Sequence, residues 1–168
     1  AKVVSVGNIT WGGTGKTPII LAIVGALMAK GFKPTLLMRG YMPLGTPKGQ
    51  SDEAALLEKI FPGVAVVVGK NRYAAAQNFL RKFRTDIFLL DDGFQHRRIT
   101  PGFSILLSDF DRLFVRDHML PYGNLRESIG NMRRADIILI TKSPENISPI
   151  QRRLIVKEVD KAPYQRLY

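Results

Sequence analysis

Residues 2–29 read KVVSVGNITWGGTGKTPIILAIVGALMA, and this stretch decides the fold class of the chain. Lys2 to Val6 is a short β-branched run that predicts a strand. A glycine-rich turn follows, and Pro18 to Ala29 is an apolar segment long enough for a helix. Strand, loop and helix in this order are the first unit of an α/β fold.

The glycine-rich turn contains the residue types that a phosphate-binding loop needs. Glycines let backbone N–H groups converge on phosphates, a lysine reaches the β and γ oxygens, and a hydroxyl binds Mg²⁺. Lys16 and Thr17 supply the last two groups, and Thr10 stands where the common pattern begins with glycine. The predicted nucleotide-binding residues are Thr10, Gly12, Gly13, Thr14, Gly15, Lys16 and Thr17. The alternative is a glycine-rich turn at a strand end that binds nothing.

The rest of the chain repeats short apolar runs between helical patterns. Strands are predicted at residues 34–38, 64–68, 87–90, 104–107 and 137–140, and helices at 52–60 and 71–83. Strands without polar alternation are buried on both faces, which is typical of parallel sheets covered by helices. We therefore expect one domain, residues 1–168, with a three-layer fold like that of P-loop NTPases and a mainly parallel sheet.

Two adjacent carboxylates end one predicted strand. Asp91 and Asp92 follow the apolar run at residues 87–90. P-loop proteins have a second nucleotide-binding motif of this kind, in which an apolar strand ends in a carboxylate that binds magnesium. Ligands of open parallel sheets bind beyond the carboxyl ends of the strands, which favours a functional site here. A structural Asp-Asp-Gly turn is the alternative. The predicted metal ligands are Thr17, Asp91 and Asp92.

Other polar segments leave their roles open. Arg39 follows the second strand, and Gln95 and His96 lie next to the carboxylates, although His96 could equally be a packed loop histidine. Arg126 and Glu127 could form a surface ion pair or a substrate clamp. Residues 141–144 stand where guanine-binding proteins carry an aspartate acceptor, and Pro144 has no side-chain acceptor, so ATP is favoured over GTP.

Composition and charge restrict the function classes. The chain has 168 residues, 45% of them hydrophobic, and no cysteine, which excludes disulfides and thiolate zinc sites. Its 25 Lys and Arg against 14 Asp and Glu give a net charge of +11, which favours anionic partners. No recognition-helix or stacking-aromatic pattern supports nucleic-acid binding. The most apolar stretch, Ile19 to Ala29, is about half of a membrane-spanning length, and no export leader is evident.

The motifs together resemble the tetraacyldisaccharide 4'-kinase family, which phosphorylates the 4' hydroxyl of a lipid-linked glucosamine disaccharide in lipid A biosynthesis. The matching segments are Ser5 to Thr10, Gly12 to Pro18, Arg39 to Tyr41, Asp52 to Ala54, Asn71 to Tyr73, Leu90 to Arg97, Leu120-Pro121, Gly123, Leu125 to Glu127 and Arg134 to Asp136. They cover nearly the whole chain in the family's order.

The resemblance implies transfer of the ATP γ-phosphoryl group. Lys16 would contact the phosphates, Thr17 with Asp91 or Asp92 would hold Mg²⁺, and Asp52 would work with a histidine to activate the sugar hydroxyl. The positions implied near nucleotide or acceptor are Arg39, Glu53, Arg72, Gln95, His96, Arg126 and Glu127. The implied cofactors are ATP and Mg²⁺, and no obligate protein partner is implied.

The family also has an upstream amphipathic helix that touches the membrane and a C-terminal Asp-His-His motif that donates the dyad histidine. We expect the chain to be the catalytic core of such an enzyme, which acts at the anionic inner face of the bacterial inner membrane. The competing hypothesis is a P-loop ATPase or GTPase switch that acts through a protein partner, because both classes share the phosphate loop and the carboxylate strand.

Overall fold

A computed structural model describes residues 1–39 and 59–168. Seven parallel strands form one sheet in the order β3-β2-β4-β1-β5-β6-β7. The strands are β1 Lys2–Gly7, β2 Pro34–Met38, β3 Ala65–Val68, β4 Ile87–Asp91, β5 Phe103–Asp109, β6 Ile137–Thr141 and β7 Arg166–Leu167. The predicted parallel sheet is confirmed.

Three α-helices lie entirely within the described residues: α1 Lys16–Ala29, α2 Arg72–Leu80 and α3 Pro149–Val159. Residues 59–60 are also helical. Asn71 is the N-cap of α2, and its side chain accepts a hydrogen bond from the Ala74 amide at 3.2 Å. Helix α3 begins with a capping box between Ser148 and Gln151. Two short 3-10 helices, Phe114–Arg116 and Ile129–Arg134, lie in the long connection between β5 and β6.

Apolar side chains cover both faces of the sheet. On one face, Ile20 and Val24 of α1 pack against residues that include Val6 and Leu89. On the other, Phe79 of α2 packs against β2 and β4, while residues of α3 and of the β5–β6 connection pack near Leu106. Burial on both faces explains the lack of polar alternation in the strands, and the three-layer fold is confirmed.

The element boundaries differ from the sequence predictions in a few places. Helix α1 starts two residues before Pro18, which is tolerated in a first helical turn. Helix α2 ends at Leu80 rather than Phe83, and the amide of Phe83 donates to the carbonyl of Phe79 in the turn beyond it. The predicted helix at residues 52–60 lies largely outside the described residues.

The sequence patterns assign no element after residue 144, whereas the structure adds α3 and β7. The apolar signal of both elements is weak. Only Ile155 and Val159 of α3 are buried, and β7 has two residues. In the described part of the chain, no helix is long and apolar enough to span a membrane.

Candidate functional site: the phosphate loop and the ends of β1 and β4

The loop between β1 and α1 has the backbone form that its glycines permit. Gly12 and Gly15 have φ values of 113° and 75°, a backbone conformation that residues with a Cβ atom rarely adopt. Gly15 is the N-cap of α1, and no side chain caps its first turn. The free N–H groups and the helix dipole make this turn suitable for an anion such as phosphate.

The ends of β5 and β6 hold one flank of this loop. The hydroxyl of Thr141 donates to the carbonyls of Thr14 and Ser108 at 3.0 and 3.1 Å. The ammonium of Lys142 donates to the carbonyl of Gly13 at 2.8 Å and to Asp109 Oδ2 at 2.6 Å. The hydrogen bond from Lys142 holds the pKa of Asp109 below its usual value. Both contacts fix the loop relative to the sheet.

Asp92 is the centre of an ionic network at the end of β4. Arg126 donates to its two carboxylate oxygens at 2.9 and 3.0 Å, and Lys16 Nζ lies 3.8 Å from Oδ1. Arg72, which is buried, donates to the Asp92 carbonyl at 3.0 Å. Burial opposes ionisation of Asp92, but the hydrogen bonds and charges of Arg126, Lys16 and Arg72 outweigh it and lower the pKa of this carboxyl.

Asn8 connects the loop to this network, and sequence reasoning gave it no role. Its side chain is fully buried, and its Oδ1 accepts from Lys16 Nζ at 3.4 Å and from Arg126 Nη2 at 2.5 Å. Its carbonyl accepts from Gln95 Nε2 at 2.8 Å. The sequence does place a polar residue, Asn8, directly after a buried strand, which could have marked it as a candidate site residue. Its partners could not be predicted, because they lie as many as 118 positions away in sequence.

Arg126 and Glu127 have different partners. Whereas Arg126 binds Asp92 and Asn8, Glu127 accepts from Gln95 at 2.8 Å and from Asn131 at 2.9 Å, and it also pairs with Arg134. The structure thus joins both residues to the loop that follows β4. Glu127 supports the wall of the site rather than forming a surface pair with Arg126.

His96 lies beside this network at the loop that follows β4. Its amide donates to the carbonyl of Gly93 at 2.9 Å, and its Nε2 is buried without a hydrogen-bond partner among the described residues. Burial, together with the charges of Arg72 and Arg98, lowers the pKa of this imidazole. His96 is therefore predominantly neutral at pH 7.

These residues surround a groove of about 380 Å³ that opens next to the phosphate loop. Its lining residues are Trp11, Arg39, Lys70, Arg72, Asp92, Gln95, His96 and Arg126. Four of them are cationic and one is acidic, so the groove favours an anionic ligand. A larger cavity of about 630 Å³ lies over Ser5 and Ser104, and no residue of the phosphate loop lines it. The groove is therefore the better candidate for phosphate chemistry.

The predicted magnesium ligands differ in what they can offer. Both oxygens of Asp92 already accept from Arg126. Asp91 ends β4 beside Val6 of β1, the strand that leads into the phosphate loop. The carboxylate of Asp91 and the hydroxyl of Thr17 are hard oxygen donors of the kind that Mg²⁺ binds, and Mg²⁺ needs only one or two carboxylates beside phosphates. These donor types fit magnesium.

The structure brings together most of the residues that the sequence singled out. Thr10 is buried and pairs with Leu125, while Arg39 is exposed at the groove. Asp52 and Glu53 lie outside the described residues. The groove and the adjoining loop thus contain a glycine-rich turn suited to an anion, the Asp92 carboxylate and several cations, which are groups that phosphoryl transfer uses.

A family model described as Tetraacyldisaccharide-1-P 4'-kinase matches residues 1–165. The chain belongs to this family. Among curated relatives of that name, the protein of Bacteroides thetaiotaomicron is 38% identical over 99% of this chain and 47% of its own length. That of Flavobacterium psychrophilum is 38% identical over 91% of this chain and 48% of its own length. The chain thus spans about half the length of these tetraacyldisaccharide 4'-kinases.

Solved structures agree with this membership. The LpxK structure from Aquifex aeolicus, an "apo" form in complex with ATP, superposes with a TM-score of 0.72 and 32% identity, over 89% of this chain and 52% of that one. The signal recognition particle receptor FtsY from Elizabethkingia anophelis superposes with a TM-score of 0.59 at 13% identity, which shows a shared fold alone. Membership of the tetraacyldisaccharide 4'-kinase family predicted from the motifs is confirmed.

Proposed function

We propose that this chain forms the nucleotide-binding core of an ATP-dependent kinase that phosphorylates the 4'-hydroxyl of a tetraacylated glucosamine disaccharide. The observation that carries the proposal is the contact of Lys16 with Asn8 and Asp92, because it joins the phosphate loop to a cationic groove large enough for part of an acceptor. Family membership supports a kinase over a nucleotide switch that acts through a protein partner.

In the proposed reaction, the 4'-hydroxyl oxygen of the acceptor attacks the γ-phosphorus of ATP. The bond between that phosphorus and the β–γ bridging oxygen breaks, ADP leaves, and Asp52 with its partner histidine accepts the hydroxyl proton. Loop N–H groups and Lys16 would hold the phosphates, and Arg126 and Arg72 would add positive charge as negative charge moves. Magnesium, which Thr17 and Asp91 would hold, neutralises phosphate charge when bound.

We also place the action of the protein at the inner face of the bacterial inner membrane. A lipid-linked acceptor is a membrane component, and a net charge of +11 favours contact with anionic head groups. Pro144, which stands where guanine-binding proteins carry an aspartate, has no side-chain acceptor, and this supports ATP as the nucleotide.

Release of ADP in the presence of the lipid acceptor tests the proposal. Wild-type protein with MgATP should release ADP and form a phosphorylated disaccharide, and the reaction should depend on acceptor concentration. Lys16→Ala should bind MgATP much more weakly while remaining folded by circular dichroism. ATP hydrolysis that does not depend on the acceptor but increases with a protein partner would instead support the nucleotide switch. Unchanged ATP affinity in a folded Lys16→Ala variant would contradict the assignment of residues 12–17 as the phosphate-binding loop.

A further inference from the structure

We propose that Trp11 is the residue on which a sugar ring of the acceptor stacks, and that it sets acceptor affinity rather than nucleotide affinity. This inference rests on the proposed function, because it names a contact within the same site. Trp11 lies in the phosphate loop itself, is 67% exposed, and lines the groove between the loop and Asp92.

The backbone around Trp11 is fixed even though its ring is exposed. The Trp11 amide donates to the carbonyl of Asn124 at 2.6 Å, the Arg126 amide donates to the carbonyl of Ile9 at 2.8 Å, and Thr10 pairs with Leu125. Residues 9–11 therefore pair with residues 124–126 like a short two-stranded ribbon. The backbone that bears the ring is held in place, so a ligand that stacks on the ring loses little binding free energy to ordering of the loop.

The other residues of the groove match the remaining parts of a phosphorylated sugar. An aromatic ring has a negative face, which suits the weakly positive C–H face of a sugar. The amide N–H groups of Gln95 already bind Asn8 and Glu127, which leaves its Oε1 as an acceptor for a hydroxyl. The exposed side chains of Arg39 and Lys70 provide charge for an anionic substituent. The groove thus combines an apolar wall with polar and cationic groups, as small-molecule sites generally do.

Trp11 borders the larger of two spaces beside the phosphate loop. It lines the groove together with Asp92, which follows β4, and it also lines a small recess with Asp109 and Arg112 at the end of β5. The groove measures about 380 Å³ and the recess about 10 Å³, so only the groove can admit a sugar ring. A ring at the edge of this groove is placed to contact the acceptor of the γ-phosphoryl group.

Fluorescence gives a direct test because Trp11 is the single tryptophan of the 168 residues. The probe is the deacylated glucosamine disaccharide 1-phosphate, titrated into this chain in the presence of MgADP. We expect a saturable shift of the emission to shorter wavelength, which the disaccharide causes and MgADP alone does not. Binding of the disaccharide by calorimetry without an emission change would overturn the proposal, as would a shift that MgADP produces in full.

Kinetics with the lipid acceptor form the second test. Trp11→Ala should raise the KM for acceptor by about 2- to 10-fold, the range that an aromatic contact contributes, while Trp11→Phe retains most of the affinity. The KM for ATP should stay within about 2-fold, because the loop N–H groups and Lys16 are unchanged. Tyr168→Ala removes a 60% exposed aromatic ring from the far edge of the sheet and should change neither constant.

The failures of the two proposals are distinguishable. If wild-type protein forms no phosphorylated disaccharide even over incubations long enough to detect a kcat lowered by about 10⁴-fold, the proposed function is wrong and the inference on Trp11 is wrong with it. If wild-type protein is active and Trp11→Ala has an unchanged acceptor KM, or an equally raised KM for ATP, then only the Trp11 assignment is wrong.

Discussion

The two adjacent aspartates at the end of β4, Asp91 and Asp92, have different surroundings although the sequence presents them as a pair. Asp92 is held by Arg126 through both carboxylate oxygens, whereas Asp91 lies at the strand end beside β1. Arg72, buried below them, fixes the Asp92 carbonyl. We therefore propose that Asp91 serves the metal and that Asp92 organises Lys16 and Arg126.

This division predicts a difference in magnesium dependence. Asp91→Asn should raise the Kd for ATP by about 10-fold or more when Mg²⁺ is present, because a metal ligand is weakened, with little change in EDTA. Asp92→Asn should affect ATP binding similarly with and without Mg²⁺. Calorimetric titrations of both variants under both conditions measure this, and an Asp91→Asn variant whose loss is the same in EDTA would contradict the metal assignment.

Asp92 in turn predicts a pH-dependent effect on stability. Its pKa is lowered in the folded state, so its stabilising contribution is present above the unfolded-state pKa and is lost as pH falls through the folded-state pKa. Asp92→Asn should lower the free energy of unfolding by about 1–3 kcal/mol at pH 7. Denaturant titrations should show this difference shrinking as the pH falls below about 4. An equal difference at pH 7 and pH 3 would argue against the ion pair as its source.

Asp86→Asn is the matched control for Asp92→Asn. Asp86 lies just before β4 at the opposite end of the strand, and its carboxylate accepts from the Lys33 amide at 2.8 Å at an exposed position. The control removes the same charge from a solvated site, so its effect on stability should be smaller.

At the scale of elements, the phosphate loop depends on β5 and β6 for its position. Thr141, at the end of β6, bonds the Thr14 carbonyl of the loop and the Ser108 carbonyl of β5 through one hydroxyl. Lys142 directly follows Thr141 and has a positive φ of 57°, and its ammonium donates to the Gly13 carbonyl and to Asp109. Two adjacent residues of a strand end therefore tether the loop that contains the nucleotide site.

Thr141→Val tests this tether while keeping the side-chain shape. Loss of the hydroxyl removes the single donor that the carbonyls of Thr14 and Ser108 share and should cost about 1–3 kcal/mol of stability. The Kd for MgATP should rise by about 3- to 10-fold, since loosening the loop by about 1 kcal/mol is passed to binding. Calorimetry and denaturant titration of the same preparation separate the two effects.

Thr85→Val is the control, because Thr85 also bonds two carbonyls through one hydroxyl, those of Lys33 and Ile87, at 2.8 and 3.2 Å. It lies at the amino end of the sheet, away from the loop. It should lower stability and leave ATP affinity unchanged. If both variants weaken ATP binding equally, the effect of Thr141 is general destabilisation.

At the scale of the whole molecule, the described residues supply nucleotide-binding groups more completely than proton-transfer groups. The resemblance assigns proton transfer to Asp52 and to a histidine in the family's C-terminal region. His96 lies beside the Asp-Asp-Gly turn with its pKa lowered by burial and nearby arginines. His118 is exposed in a different loop. Among the described residues, neither imidazole has a hydrogen bond to a carboxylate, and Asp52 lies outside those residues.

The 168 residues tested alone should therefore bind MgATP but transfer phosphate more slowly than a full-length relative. Positioned acid–base catalysis contributes about two to four orders of magnitude, so the kcat should fall by about that factor. Weaker capture of the lipid should appear separately, as a raised KM for acceptor. The measurement is transfer to detergent-dispersed disaccharide at saturating ATP. A kcat comparable to that of the relative would point to His96 or His118 as the functioning partner.

Local sequence patterns determined the phosphate loop and most of the sheet of this protein. The glycines of residues 12–15 require a tight turn before α1, and the uninterrupted apolar runs require a sheet buried on both faces, so the phosphate loop and the parallel sheet follow from short-range rules. Helix α3 and the two-residue β7 were not predicted. Only Ile155 and Val159 of α3 are buried, where they cluster with Ile138 of β6, and β7 is too short to show a pattern and depends on its pairing with β6.

Only the tertiary structure decided which polar residues meet. Parallel strands bring the ends of β1 and β4 side by side, so Lys16, Asp92 and Arg126 form one ionic network from three distant segments. The same geometry lets Asn8 accept from both Lys16 and Arg126. It also gives Arg126 and Glu127 different partners, and it places Arg126 on the carboxylate of Asp92. Sequence spacing predicts where a turn or a strand ends, but contacts between segments depend on strand order, which no local pattern of residues contains.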